Sequence, residues 1–277
     1  MFPGQALETW QCKSVPPTRA TCVTNPMPQV AGLHALLPRL LKLNETVVPN
    51  SGATANLKAK WQTLAQRVPE LPVGPCMQGA GKGISTCLLP GAQLPPSTSN
   101  AENADLYAVH PFRVVGLYTN RSLGITTYEN RKFRGETGWS EDFMDSALLG
   151  LANETASAAI AHAIVAPYSG YRWVGFQAGI GAGGPITDHG GVATAGLRYM
   201  LMQSGLSVDG VPSKKIVLFP AWPCKDWAVK FKLHAPGLTT VEGFYDGAGA
   251  ISGFRVSPPE RKADVVFASC VQAQHDG

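Results

Sequence analysis

Residues 181–204 read GAGGPITDHGGVATAGLRYMLMQS, and residues 216–227 read IVLFPAWPCKDW. In the first stretch a small-residue loop presents one carboxylate, Asp188, beside His189, and a strongly apolar helix follows at once. A helix N-terminus stabilises negative charge, and glycines let a ligand approach the backbone. The second stretch is an apolar strand running into a Pro/Trp corner. Together they mark the place where helical spacing gives way to strand-like spacing.

Before that place, apolar residues recur at helical intervals. Residues 1–27 read as an irregular lead-in. Helices are predicted over Pro28–Leu43, Ala53–Val68, Leu106–Gly116, Ser122–Phe133, Ser140–Leu151, Glu154–Val165 and Gly190–Ser204, with Ser140 as an N-cap. The Pro/Gly-rich stretch 69–103 reads as a long loop, a kind of segment that is usually functional or disordered. After Gly205 the strands Lys214–Pro220, Trp227–Ala235, Thr239–Tyr245, Ile251–Val256 and Ala263–Ala268 are predicted, punctuated by Gly, Pro and Asp. The expected fold class is mainly α with a β-module: helical hairpins over 1–205 and an antiparallel β-domain over 206–277.

Composition narrows the function classes. With 44% hydrophobic and 15% charged residues in 277, the chain can bury a sizeable core. Its net charge of +4 is spread thinly, and no Lys/Arg run interleaves with aromatics, so no nucleic-acid partner is expected. No apolar run reaches the roughly 18 residues of a membrane span. The start, MFPGQALETW, does not read as a signal peptide. Six cysteines, at 12, 22, 76, 87, 224 and 270, form no CxxC pair. That argues against zinc and permits disulfides. With sequons at Asn44, Asn120 and Asn153, the cysteines lean toward an extracellular setting. No metal or cofactor is expected.

Two glycine patterns fail their tests. Gly179, Gly181 and Gly184 satisfy G-x-G-x-x-G, but Pro185 follows and the surroundings are helical, not β-α-β. Gly79–Thr86 (GAGKGIST) places Gly83 where a phosphate loop needs Ser or Thr after Lys82.

Two carboxylates remain. Glu102 ends the long loop in PPSTSNAENADLYAVHPF (95–112), and Asp188 lies in the glycine-rich turn. Taken singly, Glu102 reads as a helix-start acid and Asp188 as an N-cap for the helix from Gly190. His189 alone reads as a hydrogen-bonded structural histidine, and Trp139 and Trp173 as core or as sugar-stacking platforms. As a pair the acids suit glycoside hydrolysis, in which one carboxylic acid protonates the leaving oxygen and a second group directs water.

PSTSNAEN (96–103), TDHGGVATAGLRYMLMQS (187–204) and LFPAWPCKDW (218–227) resemble, in order and spacing, the PST-x-x-EN, DGN-F/G-x-x-AG-x-x-x-MLLQS and LLPA-x-P-x-x-W segments of glycoside hydrolase family 95. ALETWQC (6–12) and FKLHAPGLTTVEG (231–243) resemble a less characterised branch of such six-hairpin glycosidases. The resemblance runs from about Ala6 to about Val266. It implies part of an (α/α)6 toroid followed by a C-terminal β-domain, and the C-terminal portion of a larger enzyme. It further implies an inverting α-L-fucosidase-like or α-L-galactosidase-like activity on an oligosaccharide or glycan. Glu102 matches the general acid and Asp188 the acid that polarises the water-activating group. His189, which stands where the family has glycine, and Trp139 and Trp173 are expected to shape the sugar site. The alternative is a non-catalytic carbohydrate-binding or structural module derived from such an enzyme.

Overall fold

The computed structural model describes residues 1, 3–43, 52–77, 85–135, 140–165, 187–208 and 211–268. They combine six α-helices with several small, mostly antiparallel sheets. The chain forms two compact units, 1–116 with 120–133, and 117–119 with 134–277.

In the first unit, β1 (Thr24–Pro26) leads into α1 (Met27–Leu41), whose Pro28 occupies the first turn, where a missing N–H costs nothing. Then come α2 (Gly52–Ala65), β2 (Val73–Pro75), β3 (Thr86–Leu88) and β4 (Gly91–Gln93). The stretch expected as a loop thus carries three short strands. β2 pairs antiparallel with β3, and β4 with β1. Disulfides join Cys76 to Cys87 and Cys12 to Cys22. Backbone pairing and a covalent staple replace the side-chain periodicity that sequence reading looks for.

The helix expected over Leu106–Gly116 shrinks to a 3-10 turn, Ala104–Ala108. Pro111 disfavours helical geometry at His110 and offers no N–H of its own. α3 (Arg121–Glu129) follows, and its buried Thr127 hydroxyl accepts the Leu88 N–H at 2.9 Å, tying helix to strand. Ala6, Trp10, Val23 and Ala104 form a small buried cluster beside Leu7 and Leu94.

In the second unit, α4 (Asp142–Leu149), α5 (Ala152–Val165) and α6 (Thr187–Leu201) are followed by β5 (Met202–Ser204), β6 (Ser207–Val208), β7 (Val211–Pro212), β8 (Ile216–Leu218), β9 (Val229–Ala235), β10 (Thr239–Tyr245), β11 (Ile251–Ser257) and β12 (Val265–Phe267). Glu141, not Ser140, holds the cap position of α4, while the Ser140 hydroxyl donates to the Gly135 carbonyl. The strands from β9 to β11 form an antiparallel meander. β8 pairs antiparallel with β5 but parallel with β12, so the sheets are not wholly antiparallel as expected.

The last three residues of the helix predicted to Ser204 are strand, and they put the end of α6 into a sheet. Phe143, Met200, Leu218, Phe219, Tyr245 and other residues of helices and strands share one buried cluster. Gln203 fastens the junction, its Nε2 donating to the Ala147 carbonyl at 2.8 Å. The Pro/Trp corner is held by Trp222 Nε1, which donates to Trp227 O at 2.9 Å, and by Tyr245 Oη, which donates to Cys224 O at 2.7 Å. Among the described residues no helix is long and apolar enough to cross a membrane.

Two glycines of α6 test this packing. A Cβ at Gly196 would lie 2.4 Å from Cγ of the buried Phe143 ring, whereas one at Gly191 would meet nothing within 4 Å. Overpacking costs about 1–3 kcal/mol, and the helix propensity of alanine returns about 1 kcal/mol. Gly196→Ala is therefore expected to lower stability by up to about 2 kcal/mol, and Gly191→Ala to raise it by up to about 1 kcal/mol. Urea unfolding of the two variants checks both signs.

Candidate functional site

Glu102 belongs to the first unit and is held from two sides. The fully buried Thr9 hydroxyl accepts the Glu102 N–H at 2.9 Å and donates to Glu102 Oε2 at 3.3 Å. The Thr9 carbonyl accepts the Ser99 N–H at 2.8 Å, so residue 9 grips the loop at two points. On the other side Asn103 pairs with the backbone of Phe133: Nδ2 donates to its carbonyl at 2.6 Å, and Oδ1 accepts its N–H at 3.0 Å. Short polar side chains do this well because they mimic a backbone hydrogen-bonding edge.

The clamped acid opens on a narrow cleft lined by Trp10, Glu102, Asp105, Asn130, Lys132 and Phe133, among others. It measures about 340 Å³ when space open to solvent is counted. The enclosed part holds roughly one water. Polar groups and aromatic edges thus converge on a space that is almost closed.

Asp105, in the 3-10 turn, was not singled out from the sequence, where it reads as one more acid at a helix start. Its residue surface is only partly exposed. Burial pushes its carboxyl up from 3.8 to about 7, against the opposing pull of the Asp105 and Leu106 backbone N–H groups and of Arg131. A low-dielectric surround disfavours the charged form, and two amides with one guanidinium do not fully compensate. Arg131 is itself buried, its guanidinium carbon 3.7 Å from the Tyr128 ring centroid. Thr9 and Lys132 were also missed. A single threonine or lysine carries no pattern until the chain folds back on it.

Asp188 belongs to the second unit. It lies in the first turn of α6 and is exposed. Because α6 begins at Thr187, Asp188 is inside the helix and does not cap one starting at Gly190. His189 is also in α6, and its side chain lies outside the described residues. Trp139, Trp173 and the Gly179–Gly184 loop lie outside them too. Among the described residues no three His, Cys, Asp or Glu side chains gather as a metal site would require. Comparison with known families and with curated proteins gives no match to this chain.

The raised Asp105 value has a thermodynamic consequence. Below about 4 the carboxyl is protonated in both folded and unfolded chains and adds nothing to pH dependence. Between about 4 and about 7 the unfolded chain loses the proton while the folded one keeps it, so stability falls as pH rises through that window. Asp105→Asn removes this titration. The variant is expected to gain on the parent protein steadily from about pH 4 to about pH 7 and then hold level, as read by denaturant unfolding at a series of pH values.

Proposed function

We propose that this chain acts as an inverting glycoside hydrolase, related to family 95 and built on helical hairpins of a toroid, with Glu102 as the proton donor. The observation that carries the reading is the clamp on Glu102. A buried threonine and an asparagine hold the acid loop from both sides, at a cleft edged by Trp10 and Phe133. A fixed carboxyl beside aromatic surface is what protonation of a glycosidic oxygen needs.

The chemistry follows from that placement. Thr9 donates to Oε2 and fixes the carboxyl that, in its protonated form, carries the transferable proton. Glu102 gives it to the glycosidic oxygen as the bond to the anomeric carbon breaks, and the leaving sugar departs as an alcohol. Water attacks that carbon from the opposite face. The resemblance assigns Asp188, in the first turn of α6, the role of polarising the group that activates the water. Terminal α-L-fucosides and α-L-galactosides are the substrates the resemblance implies, with His189, Trp139 and Trp173 as sugar contacts. Two disulfides suit an oxidising, extracellular setting.

A second reading is a non-catalytic carbohydrate-binding or structural module derived from such an enzyme.

The test is hydrolysis of chromogenic α-L-fucosides and α-L-galactosides, with the first-formed anomer followed by NMR. Glu102→Gln is expected to lower kcat by about 10²–10⁴-fold while leaving the unfolding midpoint in place. Turnover unaffected by that change would remove Glu102 from the role. Glycan binding with no turnover in the parent protein would select the second reading.

A further inference from the structure

Lys132, an exposed residue, lines the Glu102 cleft. Its ammonium donates to Thr98 Oγ1 at 3.2 Å, and lies 5.5 Å from the Trp10 ring centroid and 5.1 Å from that of Phe133. Among the described residues it has no carboxylate within 4.0 Å. One residue further along the same loop, the Ser99 hydroxyl accepts a hydrogen bond from Lys13, which likewise has no acidic partner there. Two ammonium groups therefore grip consecutive residues of the loop that ends in Glu102, and among the described residues neither has a carboxylate within 4.0 Å.

We propose that the glycan taken by this cleft is acidic, with a carboxylate or sulfate group on the sugar seated on Lys132. The inference rests on reading the Glu102 cleft as a glycan site and names its substrate class. Three physical points carry it. A cation with no carboxylate within 4.0 Å among the described residues attracts an anion that approaches the cleft. Charge-assisted N–H···O bonds to an anion are roughly twice as strong as neutral ones. The Phe133 ring, partly exposed and 5.1 Å from the ammonium, gives the apolar face of a sugar a place to lie. Seating an anion there has a further effect. A negative charge brought into the cleft favours the protonated form of Glu102, the form that donates. An acidic substrate would thereby help arm its own catalyst.

The test uses the full chain carrying Glu102→Gln, so that ligand is bound and not consumed. Calorimetric affinities are measured for a uronic-acid oligosaccharide, its carboxyl-reduced neutral counterpart, and a sulfated form of that neutral oligosaccharide. At low salt at least one anionic ligand is expected to bind about tenfold tighter than the neutral one, with the margin shrinking as ionic strength rises. Which anion shows the margin separates carboxylate from sulfate recognition. Lys132→Met is expected to erase the margin and Lys132→Arg to keep it. Lys60→Met, which removes an exposed charge from α2, is expected to leave it intact. Equal affinity for all three ligands, no binding of any, or a margin that survives Lys132→Met would overturn the proposal. The catalytic reading is scored separately, by turnover in the protein with Glu102 intact. A Lys132-dependent margin without turnover supports the anion seat and removes the hydrolase.

Discussion

One hydroxyl organises the candidate site. Thr9, with no exposed surface, accepts a hydrogen bond from the backbone of Glu102 and gives one to its carboxylate. A buried polar group left unpaired is costly, so the partners of Thr9 are obligatory. The acid loop must return to residue 9 for the first unit to close. The position of Glu102 is thus a by-product of satisfying a threonine far away in the sequence. That is how a carboxylate on irregular backbone can be held without belonging to a helix or strand.

The supports around that bond use different chemistry for the same end. Asn103 reads the backbone of Phe133 as a neighbouring strand would. The disulfides pin the N-terminal segment and the β2–β3 pair, where apolar side chains are sparse. Thr127 takes up an amide that β3 leaves buried. Electrostatics complete the cleft. Asp105 is kept largely neutral by burial below about pH 7, while the Lys132 ammonium meets the Thr98 hydroxyl and the Trp10 and Phe133 rings.

The second unit shows the opposite economy. Its helices and strands share one apolar cluster, and the polar fixings are few and placed at junctions. Gln203 joins the end of α6 to α4, and Trp222 and Tyr245 fix the corner after β8. Phe143 lies so close to Gly196 that glycine is the residue the helix contact allows.

The sequence by itself determined the elements whose periodicity is strong. α1, α2, α5 and the β9–β11 meander stand close to where apolar spacing puts them, and β10 matches its predicted bounds. It also marked Glu102 as a carboxylate at the end of an unusual loop. Tertiary structure decided the rest. The loop over 69–103 contains strands because pairing partners and a disulfide lie elsewhere in the chain. The last turn predicted for α6 became β5 because β8 was there to pair with it. Asp105, Thr9 and Lys132 acquired their roles through burial and through neighbours up to 93 positions away. Periodicity is a local property that a sequence displays directly. Hydrogen-bond partners, burial and uncompensated charge are relations between distant residues, and they exist only once the chain has folded.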